Sequence, residues 1–450
     1  MKRVVAVGAA ALLLLAIPVP ALAHGLGGRK DLPVPLEFFV VGAAVVLLVS
    51  FGALAVLWPT PRLQDGPRFR GDGRAVPDWL GRTAAGFGLA FFALIVAAGL
   101  FGDPNARSNI APVGVWVLFW LVVPFLAALV GNAWSFFSPW RTTGEMLGLD
   151  GPGGPGRAGV WPAAVGFVAF AWMELVSGRS AEPRFIGIAA VGYFAYITVI
   201  ASRVGIDRTV ASFDTFGVYN RLVSAISPLG RRSDGRVGRR GWLRALPVLP
   251  MWPGLVFFVI ALIGTVTFDG LSATPWWDGV SFSLAGAAQR AIWFRTLGLL
   301  FALGVVGAAY LAASWTASRI ARSPTMRTRE VARSFAHTLI PIALAYAVAH
   351  YFTLILFEGQ LIVPALSDPL GLGWDLFGTV DFKPNYTWLA PAVVWYVQVA
   401  VIVGGHLIGV VLAHDRALAV FPTDRAVRTQ YAMLGLMVAL TSLGLIILAV

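Results

Sequence analysis

SFAHTLIPIALAYAVAHYFTLILFEGQ, residues 334 to 360, and WLAPAVVWYVQVAVIVGGHLIGVVLAHDRAL, residues 388 to 418, decide how the rest of this chain is read. Each contains about 20 apolar residues, enough for a helix to cross a bilayer. Together they hold four of the five histidines in 450 residues. His350 and His406 therefore fall inside the membrane, where an ionisable side chain is a candidate functional group by default.

Composition agrees. Apolar residues make up 58% of the chain and charged residues 12%, against about 25% charged in a soluble domain, so a water-soluble fold is excluded. The net charge of +12 does not indicate a nucleic-acid partner, because the basic residues lie in loops between spans. Cysteine is absent, which removes disulfides, thiolate ligands and cysteine nucleophiles. Any metal would be held by His, Asp, Glu or Met.

Working outward, residues 1–23 carry Lys2 and Arg3, an apolar run and Ala21-Leu22-Ala23, the pattern of a cleaved signal peptide. Cleavage there makes His24 the mature N-terminus, where amine and ring together can chelate copper. Residues 24–450 read as a single integral-membrane domain, an all-α polytopic transmembrane helix bundle. Ten spans are expected, at about 37–58, 84–101, 113–131, 159–177, 184–202, 250–268, 295–315, 336–357, 389–413 and 430–449.

A cleaved signal and ten spans put both mature termini on the extracytoplasmic side of a bacterial plasma membrane. The loops then expected inside (59–83, 132–158, 203–249, 316–335 and 414–429) hold 24 arginines against 11 acidic residues. The segments expected outside, with Glu174, hold 8 basic residues against 11 acidic ones. That asymmetry is the positive-inside pattern.

In the long inner loop 203–249, Val210, Phe213, Phe216, Val218, Tyr219, Leu222 and Ile226 recur at helical spacing, which predicts an amphipathic helix on the inner face. SPLGRRSDGRVGRRGWLR, residues 227–244, reads as a flexible basic tract that attracts anionic lipids. Outside, loops 269–294 and 358–388 are long enough to cap a site. No Walker, nucleophile-elbow, zincin or c-type haem motif is present.

Few polar groups are tolerated in the spans. At the expected depth of His350 the ninth span presents Tyr396 and Gln398, with Asp269 and Glu358 above and Glu174 toward the outer end of the fourth span. These six residues, with His406, form the candidate polar cavity, open to the outside. His24, His350, His406 and Glu174 are the candidate ligands of copper or zinc, and the cavity groups equally suit a proton-coupled pathway. A b-type haem held by His350 and His406 would need them at one depth, whereas counting along the spans separates them by about 15 Å. Gly405 and Gly409 make a small-xxx-small surface, the mark of close helix packing.

With HGLGGRKDLPVP (24–35), YNRLVSAISPLG (219–230), FDGLSATPWW (268–277), AVAHYFTLILFEGQ (347–360) and VLAHDRAL (411–418) in view, the chain resembles a family of multi-span membrane proteins from high-GC Gram-positive bacteria. Members are labelled fenitrothion-hydrolase-like, which implies cleavage of an organophosphate ester, a reaction usually run by paired metals with several His and carboxylate ligands. The residues themselves favour movement of a small solute or metal ion through the polar cavity. A membrane-embedded enzyme, either a metal-dependent hydrolase or a haem redox protein, is the second class. An accessory protein of a membrane complex, or a homo-oligomer, is the third.

Overall fold

The computed structural model describes residues 32–449, and the expected signal peptide and His24 lie outside the described residues. The polytopic all-α bundle is observed. Among the described residues, nine helices are long and apolar enough to cross a membrane: α1 (Leu36–Leu57), α2 (Asp78–Phe101), α3 (Ile110–Val130), α5 (Pro183–Val204), α8 (Leu255–Ser272), α9 (Ile292–Ala321), α10 (Thr328–His350), α12 (Pro391–Val420) and α13 (Ala426–Leu448). Between them stand α4 (Trp161–Leu175), α6 (Ile206–Ser212), α7 (Thr215–Ser224) and α11 (Phe352–Ser367).

Where one further span is expected, at about 159–177, stands α4, which at 15 residues is too short to count among them. Gly159, at φ +59°, and Pro162 in the first helical turn fix its start, and Gly178, at φ +70°, lies just past its end. The eighth span also ends earlier than its hydropathy implies. α10 stops at His350, Tyr351 (φ −91°, ψ 9°) leaves helical geometry, and the apolar run continues as the separate helix α11. His350 is therefore a helix-end residue.

The described residues divide into two compact units. The first takes the chain up to Gln64, then Ile263–His350, then Pro391 onward. Its first and last helices, α1 and α13, carry apolar residues around their whole circumference. α1 buries only the stripe Ala43, Ala44, Leu47 and Phe51, while Phe38, Val41 and Val49 are exposed, so its outer face is suited to lipid. α10 packs on α12 through the glycine surface. A Cβ on Gly405 would collide with that of Ala345, and one on Gly409 would lie 2.7 Å from Ile342 Cδ1.

At one end of this unit, buried Asp415 on α12 accepts from the Trp58 indole at 3.0 Å, from the Leu63 amide at 3.1 Å and from Gln64 Nε2 at 2.7 Å. His414 beside it meets the Trp58 carbonyl and Gln430 Oε1, both at 3.0 Å.

The second unit takes Asp65–Leu262 and Tyr351–Ala390. Here the long basic loop departs from expectation twice. Gly205, at φ +85°, turns the chain at the end of α5, and the expected amphipathic helix breaks at Phe213-Asp214 into α6 and α7. In α7 every residue but Arg221 is buried, because it packs on α3 and α4 instead of lying at a lipid surface. The basic tract is folded rather than flexible. Strands β2 (Leu229–Arg231) and β3 (Val237–Arg240) pair antiparallel, and β1 (Phe69–Arg74), from the segment between α1 and α2, adds to β3 to give the order β1-β3-β2.

Toward the other end, the Asp103 amide bonds the Leu370 carbonyl at 2.7 Å and the Ile110 amide bonds that of Pro369 at 3.1 Å. In α3, residues Val113–Val122 take the wider π-helical winding.

Candidate functional site

In the first unit, α8 carries Asp269 in its last turn and α10 ends on His350. Nε2 of His350 lies 3.0 Å from Oδ2 of Asp269, and the two side chains are 17% and 25% exposed. Protein encloses the pair without sealing it. Gly270 permits this approach, since a Cβ there would collide with Ile447 and stand 3.2 Å from His350 Cε1. The Tyr346 ring, one turn before His350, stands edge-on to the imidazole at 6.4 Å.

Gln398 fixes the register of α12 beside this pair by donating Nε2 to the Ala349 carbonyl at 2.9 Å. His406 is eight residues further along α12, about 12 Å at 1.5 Å per residue. It is buried, its Nδ1 donates to the Ile402 carbonyl at 2.9 Å, and its Nε2 has no hydrogen-bond partner among the described residues. That separation keeps one haem iron from reaching both imidazoles, and His350 has already placed Nε2 on Asp269.

The remaining candidates fall elsewhere. Tyr396 does not turn toward His350. It is 51% exposed, with its ring 6.0 Å from that of Phe39, because it lies two residues from Gln398 on the helix and so about 200° around it. Glu174, in the last turn of α4, and Glu358, which accepts from the Tyr386 hydroxyl at 3.3 Å, belong to the second unit. Among the described residues no group of three or more His, Asp or Glu is placed to hold a metal ion.

The second unit holds a charged centre that the sequence reading passed over. Asp214 is fully buried and accepts from Trp140 Nε1 at 2.7 Å, from the Tyr193 hydroxyl at 2.9 Å and from the Phe216 amide at 3.1 Å. It caps α7, and burial pushes its carboxyl above the ordinary range while these hydrogen bonds oppose the shift. Arg221, on the same helix, is lowered to about 10 by burial, with Asp214 opposing. It stacks 4.2 Å over the Trp252 ring. The available signal was local, an Asp immediately before the aromatic-rich helical run TFGVYNRLVS, where a cap is expected.

Above this centre, α2, α3, α4 and α5 enclose an apolar cavity of about 680 Å³, within the range of about 300 to 1,000 Å³ usual for ligand pockets. The π-helical stretch of α3 forms part of its wall through Gly114, Leu118 and Phe119.

This geometry defines a multi-pass integral membrane protein. Comparison of the chain with protein-family models, with curated proteins and with solved structures finds no match.

Proposed function

We propose that the first unit handles protons at the Asp269–His350 pair and couples them to movement of a small solute. The observation that carries this reading is the 3.0 Å contact between an imidazole and a carboxylate on two membrane-crossing helices, enclosed but reachable. A carboxylate and an imidazole in contact can exchange one proton between them, and intramembrane pairs of this kind mark proton and ion pathways. Gln398 and the buried His406 continue the polar set along α12. With two ligands in contact and no larger cluster among the described residues, proton chemistry fits this pair better than tight copper or zinc binding.

The proposed orientation has both termini extracytoplasmic. Charge asymmetry supports it, and the pairing of segments expected on one side, β1 with β3 in the second unit and Trp58 to Gln64 with Asp415 in the first, fits the expected alternation of spans.

The test is proton flux into liposomes that trap a pH-sensitive dye and carry the purified full-length chain. Wild-type protein is expected to dissipate an imposed pH gradient, and Asp269→Asn and His350→Ala to lose most of that flux. Equal flux in all three, or none in the wild type with or without candidate solutes, sinks the reading.

A further inference from the structure

A second, polar cavity of about 620 Å³ lies in the second unit, lined by Arg82, Arg231 and Arg236 together with Asp78 and Asp234. It and the apolar cavity share one face of α2. Gly81 lines the polar cavity, and Gly88 and Ile95 line the apolar one. Residues seven apart fall on the same side of a helix, drifting only about 20° per step. From Arg82 to Phe87 is five residues, about 7.5 Å along the axis. Phe136 lines the polar cavity and its neighbour Phe137 the apolar one, so the two spaces adjoin on a second segment as well.

Each space has its own chemistry. Of the polar side-chain atoms beside the apolar cavity, Tyr193 Oη and Trp140 Nε1 are both donated to Asp214, and beyond Trp134 and Tyr196 the remaining side chains of the lining are apolar, so a polar ligand finds few partners there. Phe87 and Val165, on its walls, are 66% and 59% exposed on helices of the membrane bundle, so the mouth faces the lipid phase. In the polar cavity, Asp234 is already paired with Arg232 at 3.4 Å, while Arg82, Arg231 and Arg236 are exposed. The adjoining sheet sets Arg70 directly opposite Arg239, both exposed. Like charges opposed across strands are unfavourable, and an anion over the sheet relieves the repulsion.

We infer that the two cavities form one binding site for an anionic phospholipid, with the phosphate-bearing headgroup among Arg82, Arg231 and Arg236 and one hydrocarbon chain in the apolar cavity. This differs from a diffuse basic patch, which attracts every anionic lipid in proportion to charge and fades with salt.

Native mass spectrometry of the full chain, purified in mild detergent and supplied with phosphatidylglycerol or phosphatidylcholine, tests it. Wild-type protein is expected to retain one phosphatidylglycerol in preference to phosphatidylcholine. Arg231→Ala with Arg236→Ala should weaken that preference roughly ten- to thirty-fold. Ala190→Trp, which fills the apolar cavity, should lose retention of both lipids. If Ala190→Trp does not fold, Ala169→Phe, at an exposed position on the same cavity wall, replaces it. Retention untouched by cavity filling and abolished by high salt would show surface attraction only and overturn the site. Glycerol phosphate binding as tightly as the whole lipid would show a soluble phosphate to be the ligand, and would overturn it equally.

Discussion

The Asp415 carboxylate accepts the indole N–H of Trp58 at 3.0 Å, tying together positions 357 residues apart in the chain. The Leu63 amide and Gln64 Nε2 reach the same two oxygens, so this buried carboxylate gathers donors from the segment that follows α1. Asp415→Ala leaves the buried Leu63 amide and the half-buried Trp58 and Gln64 donors without this acceptor, and a buried donor so orphaned costs about 1–3 kcal/mol. We expect a large drop in thermal stability in detergent. Asp415→Asn, which keeps one acceptor oxygen, should fall between Ala and wild type. A melting curve for Asp415→Ala that overlays the wild type would contradict this.

Gly405 meets α10 where no side chain fits. Gly405→Ala forces its Cβ into Ala345 and toward the Pro341 carbonyl, 3.0 Å away. Overpacking of this kind costs about 1–3 kcal/mol. Pairing it with Ala345→Gly should recover most of the loss, a rescue that a long-range effect would not show. Gly404, with nothing near its Cβ, is the control and should accept Ala with little change.

Asp214 predicts a pH dependence. Its carboxyl is raised in the folded chain, so the folded state holds its proton more tightly than the unfolded state. The stability linked to this group is fully present below about pH 4, the ordinary Asp value, and is lost as pH rises through the higher folded value. In Asp214→Asn the corresponding slope should vanish from the stability of detergent-solubilised protein measured across acidic pH. An unchanged slope would assign it to other groups.

Tyr193 and Trp140 hold that carboxylate from two different segments. Tyr193→Phe removes one donor and should cost about 1–3 kcal/mol, with Trp140→Phe costing at least as much because the larger ring also packs against Trp134 and Tyr193. The double variant should cost less than the sum of the two, since both act on one oxygen pair.

Nine of the ten expected spans were legible, with their approximate placement, because crossing a bilayer demands uninterrupted apolar length, and hydropathy measures that directly. The end of the eighth span was not, since nothing in AVAHYFTLILF breaks the apolar run where Tyr351 leaves the helix. Asp269 and His350 stand out in the sequence for their ionisable chemistry, and the fold sets them 3.0 Å apart. Tyr396 was misplaced because depth along a helix says nothing about direction around it. Asp214 was hidden in a loop, where an acidic residue normally faces water. Its burial depends on Trp140 and Tyr193, which are far away in sequence. The arginine tract 227–244 looked unstructured because its partner strand, Phe69–Arg74, lies in a different loop.

That last pairing also sets an order of events during synthesis. Arg232 donates to the Gly71 carbonyl across 161 residues. At about 5–20 residues per second, roughly 8 to 30 seconds separate the two on the ribosome. In that interval α2, α3, α4 and α5 emerge and can enter the bilayer while β1 waits with its edge unpaired. The hairpin of β2 and β3 then closes over helices already in place, so the sheet works as a late fastener on the second unit and not as a nucleus for it.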